Sequence, residues 1–148
     1  VVSTLALSES FDNGMEFFSS FGGNPVSMQI ANAVLDVIED ENLQKHAAKV
    51  GNYFDQYSKN LALSYSQIGD IRNQGLFLGL ELVHPTTQAP ATAYASKIKN
   101  ELKSRFILTG TDGPEDNVLK LKPPLCFTVQ NADQFFEAFE GALKKIPL

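Results

Sequence analysis

Apolar residues return at helical spacing in four stretches of the chain. Val26, Ile30, Val34, Val37 and Ile38 mark an amphipathic helix that runs into the polar cluster Glu39-Asp40-Glu41-Asn42. Leu43, Ala47, Val50, Phe54, Tyr57 and Leu61 share one face of a second, longer helix, with Lys45, Lys49 and Lys59 on its other faces. Ala95, Ile98 and Leu102 predict a third. Phe135, Phe139, Leu143 and Ile146 predict the last, with Asn131 as its expected N-cap.

Strand signals fill the intervals. Val1 to Leu7 reads as a short opening strand, and the nearly continuous apolar run from Gly75 to Val83 as a well-buried one. After a loop from His84 to Pro90 and the third helix, a short strand is expected over Phe106-Ile107-Leu108-Thr109. Gly110-Thr111-Asp112-Gly113-Pro114 reads as a turn, and Val118 to Leu121 resume strand character until Pro123-Pro124, which cannot donate to a ladder. Beyond residue 70 the order is therefore strand, helix, strand, strand, helix. That order fits an α+β lobe whose mixed or antiparallel sheet is covered on one face by helices.

Bulk properties narrow the classes of function. The chain of 148 residues carries a net charge of −5, which argues against a nucleic-acid surface or a polybasic membrane anchor. Its single cysteine, Cys126, excludes an intramolecular disulfide, fits a reducing compartment and reads as a small buried hydrophobe. His46 and His84 lack ligand spacing with Cys126, so no metal site is expected. Val1-Val2-Ser3-Thr4-Leu5-Ala6-Leu7 has no initiator Met, no basic flank and no long apolar run. The expectation is a piece of a longer cytoplasmic protein without a membrane segment.

The candidate chemistry sits near the front, in Phe21-Gly22-Gly23-Asn24-Pro25. Gly22 and Gly23 permit positive φ and close approach of a ligand, Asn24 is a good N-cap, and Pro25 suits the first helical position. A helix start of this kind attracts phosphate or carboxylate. Ser19 and Ser20 add hydroxyl donors. On spacing alone the same residues serve as a plain turn and cap.

The longer string Asn13-Gly14-Met15-Glu16-Phe17-Phe18-Ser19-Ser20-Phe21-Gly22-Gly23-Asn24-Pro25-Val26-Ser27 resembles the segment that follows the cofactor-bearing lysine in class III aminotransferases, pyridoxal-phosphate enzymes of fold type I. Gly69-Asp70-Ile71-Arg72 through Gly75-Leu76-Phe77-Leu78-Gly79-Leu80-Glu81-Leu82, and Asn117 to Phe127, resemble later stretches of that family in the same order. The resemblance covers nearly the whole chain. It implies an α/β fold in which residues 1–42 are the tail of the large cofactor domain and residues 43–148 a small α+β domain. It also implies pyridoxal 5'-phosphate as cofactor, with Ser20, Ser19, Phe21 and Gly22 at its phosphate and the Ser20 hydroxyl reaching the phosphate of the other subunit in a homodimer.

In the family the cofactor-bearing lysine precedes this segment, and none of the lysines present occupies its motif; no catalytic residue is assigned within the chain. At Lys120 the family commonly has an arginine that clamps a substrate carboxylate, whereas lysine offers a compact point charge for phosphate or carboxylate. Together with Gly113-Pro114 and the string from Asn117 to Phe127, this looks most like the branch of ethanolamine-phosphate and phosphohydroxylysine phospho-lyases and alanine–glyoxylate-type aminotransferases. Arg72, in a family-like context, reads as an arginine paired with a carboxylate at a strand. The implied function is amino-group transfer between small amines or amino acids and keto acids, or elimination of phosphate and ammonia from a phosphorylated amine, by the parent protein. The alternative is a non-catalytic dimerisation or ligand-binding module of the same fold.

Overall fold

The computed structural model describes residues 3–15 and 18–148. It separates into two compact units, Val1–Asp36 and Val37–Leu148. Val1, Val2, Glu16 and Phe17, which belong to the expected opening strand and the N-terminal motif, lie outside the described residues.

The first unit holds helix α1 (Leu5–Phe11) and most of helix α2 (Pro25–Asp40). The opening strand is thus corrected: Leu5 onward is helical, because Leu, Ala and Glu are strong helix formers and, among the described residues, no strand pairs with the segment. α2 begins at Pro25 and ends at the acidic cluster, as its periodicity predicts. Its apolar positions before Ile38 nevertheless stay exposed, Val26 by 70% and Ile30 by 60%.

The second unit is built on α3 (Leu43–Ser64), β1 (Ile68–Gln74), β2 (Phe77–Leu82), α4 (Thr92–Ser104), β3 (Gly110–Asp112), β4 (Val118–Leu121) and α5 (Val129–Lys145). The strands form one antiparallel sheet in the order β1-β2-β4-β3. Period-two alternation decides its faces. Leu78, Leu80 and Leu82 of β2 and Leu119 and Leu121 of β4 point into a core completed by Val50, Phe54 and Leu61 of α3, Ile98 and Leu102 of α4, and Phe135, Phe136 and Phe139 of α5. Phe136 holds the centre: its ring lies 5.2 Å from Phe54 and 5.2 Å edge-on to Phe135, and it stacks at 4.1 Å on Tyr57. Asn117 is a buried polar exception. Its Nδ2 donates to the Leu82 carbonyl at 2.9 Å, closing the end of β2 onto the start of β4.

Four sequence expectations for this unit change. β1 adds a strand that the apolar pattern did not predict, because its residues Ile68-Gly69-Asp70-Ile71-Arg72-Asn73-Gln74 are mostly polar on an open face. No strand forms over Phe106–Thr109: Phe106 leaves α4 at φ +63 and is 96% exposed, and the chain pairs with β4 only from Gly110. The strand therefore occupies Gly110–Asp112, where a turn was expected, and the turn follows it. The N-cap of α5 is Thr128 rather than Asn131; Asn131 is the third helical residue and closes a capping box with Thr128. Cys126 is exposed rather than buried, since it lies in the irregular segment that Pro123 and Pro124 keep from extending β4.

Candidate functional site

Within the first unit, Ser19, Ser20, Phe21 and Gly22 lie in one exposed loop leading into α2. The loop is tied by short-range bonds. The Gly22 amide donates to Ser19 Oγ at 3.1 Å, and a Cβ on Gly22 would stand 3.0 Å from that oxygen, a tight contact that the serine side chain would have to ease. Gly23 follows at φ +73. Asn24 Oδ1 accepts the Ser27 amide at 2.9 Å, while its Nδ2 donates to the Phe21 carbonyl at 2.6 Å and to Ser27 Oγ at 2.9 Å. This is the expected N-cap, and it refines the expected cradle. Pro25 has no amide, and the Ser27 and Met28 amides are taken by Asn24, so donors for an anion come chiefly from the serine hydroxyls rather than from the helix start.

Within the second unit, the face of the sheet turned away from the helices carries the remaining chemistry. Cross-strand register sets Arg72 opposite Gly79, Gly79 opposite Lys120, and Lys120 opposite Gly110. Two cations therefore sit two strands apart, about 10 Å, with a bare glycine between them. A cavity of about 470 Å³ opens there, lined by Arg72, Phe77, Gly79, Asp112, Gly113 and Lys120 among others.

The neighbouring row places Asp70 opposite Glu81, two like charges that would repel. Arg72 bridges them, Nη1 to Asp70 Oδ2 at 2.6 Å and Nη2 to Glu81 Oε2 at 2.7 Å. The Glu81 bond, followed in effect by the charges of both carboxylates, pushes the Arg72 pKa above its ordinary value against the opposing cost of burial. The expected carboxylate pairing of Arg72 is present. Lys120 is half-buried on β4, and its Nζ is bonded to Asp112 Oδ2. The Lys120 ammonium first, and the Gly113 amide second, hold the Asp112 carboxyl below the usual carboxylate range. Beyond β4, Lys122 Nζ lies 5.6 Å from the centre of the Phe77 ring.

The predicted site residues thus fall into two groups, the serine loop in one unit and Lys120 in the other. Asp112, Asp70 and Glu81 were missed as site residues. Glu81 gave a signal, a charge interrupting an apolar run at an outward position; Asp112 was hidden in an apparent turn. Among the described residues no three His, Cys, Asp or Glu side chains gather as metal ligands, and no helix is long and apolar enough to cross a membrane.

The family model "Aminotransferase class-III" matches residues 3–143. The chain belongs to the class III aminotransferase family. It is 42% identical to a Drosophila melanogaster alanine–glyoxylate aminotransferase 2-like protein over 99% of the chain and 30% of that protein. It is 35% identical to the Caenorhabditis elegans ethanolamine-phosphate phospho-lyase homolog 1 over 93% of the chain and 30% of that protein. Among solved structures, an Arthrobacter phospholyase in complex with phosphoethanolamine superposes with a TM-score of 0.88 at 33% identity, covering 98% of this chain and 35% of the other. The chain spans about 30% of the length of these curated relatives.

Proposed function

From membership of the class III aminotransferases, we propose that this chain supplies the phosphate-binding tail of a large cofactor domain (residues 1–42) and the small domain (residues 43–148) of a homodimeric pyridoxal-phosphate enzyme. The parent acts on a small amine or amino acid, either by amino-group transfer to a keto acid or by eliminating phosphate and ammonia from a phosphorylated amine. Cys126 of this chain is a free thiol, which fits a reducing compartment, and the cytoplasm is the compartment proposed for the parent.

The residues present suit the cofactor's phosphate end. Ser19 and Ser20 are exposed hydroxyl donors, Ser19 Oγ already accepts the Gly22 amide and keeps its own proton to give, and Gly22 keeps the loop free of a Cβ. Ser20, Ser19, Phe21 and Gly22 would hold that phosphate, Ser20 across the dimer interface. When bound, pyridoxal phosphate supplies an electron sink for reactions at the amine-bearing carbon.

Lys120 carries the substrate reading. It lines the cavity on the open sheet face with its charge toward Asp112, and its carbonyl is fixed by the Thr109 hydroxyl at 2.8 Å, so the ammonium projects from an anchored strand. A compact ammonium binds a tetrahedral phosphate or a carboxylate as a point charge. Lys120 therefore orients the substrate's anionic group, and a phosphorylated amine is the substrate class this best fits.

The test is made on the full-length parent enzyme. Lys120→Ala is expected to lower kcat/KM for phosphoethanolamine by about two orders of magnitude, or about 3 kcal/mol of lost charge-assisted contact. Released phosphate and ammonia are measured beside transamination of alanine with several keto acids. An enzyme that transaminates freely, releases no phosphate and is indifferent to Lys120→Ala rejects both the phospho-lyase reading and the role of Lys120.

A further inference from the structure

We propose that Asp112 is an internal counter-anion for Lys120: it occupies the ammonium in the free protein, is evicted by the incoming anion, and so sets the affinity of the cavity. This rests on the reading of Lys120 as the anion receptor.

The hairpin of β3 and β4 brings the pair together. Asp112 stands opposite Val118, and Gly110 opposite Lys120, so Asp112 and Lys120 are diagonal neighbours on the open face, within reach of a long side chain. Both line the cavity. The carboxylate is aimed by its own turn: Gly113, at φ +84, donates its amide to Asp112 Oδ1 at 2.9 Å, which leaves Oδ2 for Lys120 Nζ.

The other cation of the cavity is differently committed. Arg72 is clamped by two carboxylates on adjacent strands. Lys120 shares one carboxylate, and that carboxylate is the more exposed partner, 52% against 33% for the lysine side chain. Exposed ion pairs contribute little, so the contact yields to a competitor rather than locking the cavity shut. Moreover the lysine sits in the inner strand β4, paired on both sides, whereas Asp112 ends the three-residue edge strand β3. When an anion enters, Asp112 gives way and Lys120 stays.

Eviction has a signature that simple repulsion lacks. Every anion that binds Lys120 displaces the same carboxylate, so removing the Asp112 charge strengthens binding of a monoanion as well as of a phosphate. A carboxylate that merely repelled ligands from a distance would oppose the more highly charged phosphate more strongly.

The experiment uses the full-length parent enzyme, titrated by calorimetry with inorganic phosphate and separately with acetate at fixed ionic strength. Asp112→Asn keeps the acceptor for the Gly113 amide and removes the charge. It is expected to tighten both anions, each by about three-fold or more, with Lys120→Ala abolishing the response. Tightening of phosphate but not of acetate overturns the eviction. Binding that depends on Lys120 yet is unchanged by Asp112→Asn overturns the inference and leaves Lys120 as receptor. No binding by the wild-type enzyme or by its Asp112→Asn variant removes the Lys120 reading itself, and this inference with it.

Discussion

Gly51→Ala tests how the open face is held in place. Gly51 is buried in α3, where alanine is ordinarily worth about 1 kcal/mol more than glycine. On propensity alone the substitution stabilises. The structure reverses the sign, because a Cβ on Gly51 would lie 2.2 Å from the Gly75 carbonyl oxygen, 2.6 Å from its carbon and 2.7 Å from its Cα. All three are backbone atoms of the two-residue turn between β1 and β2, where Gly75 stands at φ +56 as a tight hairpin requires. Relieving the overlap means moving the helix and turn apart by about 1 Å, an overpacking strain of about 1–3 kcal/mol. The same movement breaks the bond from Asn73 Nδ2 to the Gly51 carbonyl, 2.9 Å long and worth about 1 kcal/mol. After the helical gain is subtracted, the expected loss is about 1–3 kcal/mol, or roughly 3–10 °C in Tm for a chain of this size. Urea and thermal unfolding followed by far-ultraviolet circular dichroism measure it. Gly110→Ala is the control: its Cβ would meet nothing within 4 Å, so stability should change by no more than about 0.5 kcal/mol. A Gly51→Ala chain as stable as wild type refutes the close approach. It would also unseat the placement of Asn73, Gln74 and Phe77 along the cavity, since that turn positions them.

Two further substitutions probe polar groups in the same helix. Ser58 is buried and its hydroxyl has no hydrogen-bond partner among the described residues; Ser58→Ala should therefore stabilise by about 1 kcal/mol in the same urea assay, and a loss of stability would reveal a bond to that hydroxyl. The Tyr53 phenol is pushed up to about 12 from 10, first by its bond to Asp133 and then by burial. Folded protein thus keeps a proton that the unfolded chain releases, and the contribution present below pH 10 is lost as pH rises toward 12. The stability difference between wild type and Tyr53→Phe should shrink across that window, and a difference that stays flat from pH 10 to 12 rejects the Tyr53–Asp133 bond.

Every helix but α1 was legible, because the apolar faces of α2 to α5 repeat at a period that no other element shares. The Leu43–Ser64 and Val129–Lys145 helices each bury the face that the spacing marked, apart from a shift of the α5 cap by three residues. β2 and β4 were legible as apolar runs. β1 was not, because a strand with one open face and a half-polar inner row offers no hydrophobic pattern over Ile68–Gln74. β3 was misplaced for a related reason. Phe106, Ile107 and Leu108 look like a strand, yet Phe106 and Leu108 are exposed, and what makes Gly110–Asp112 a strand is the ladder offered by β4. Pairing is a long-range property, and a three-residue edge strand containing glycine carries almost none of it locally. α2 shows the converse limit: its periodicity reports a demand for burial, not where that demand is met, and within this chain Val26, Ile30 and Val34 remain exposed.

The site follows the same division. Residues whose role is local could be read: Asn24 as cap, Pro25 as first helical residue, and Gly23, though not Gly22, as a residue at positive φ, each recognised by a conformation confined to a few neighbours. Lys120 was singled out from its string, but its surroundings were not. Asp112 lies eight residues away and faces it only through the β3–β4 register, and Arg72 joins the same row only because β2 stands between with a glycine at position 79. A side chain at 79 would stand between the two cations, and its Cβ would already press to 3.2 Å from Val118 Cγ1. Gly79 is therefore what keeps the open face hollow between Arg72 and Lys120. The chemistry proposed for this chain depends on that absent side chain as much as on the charged ones beside it.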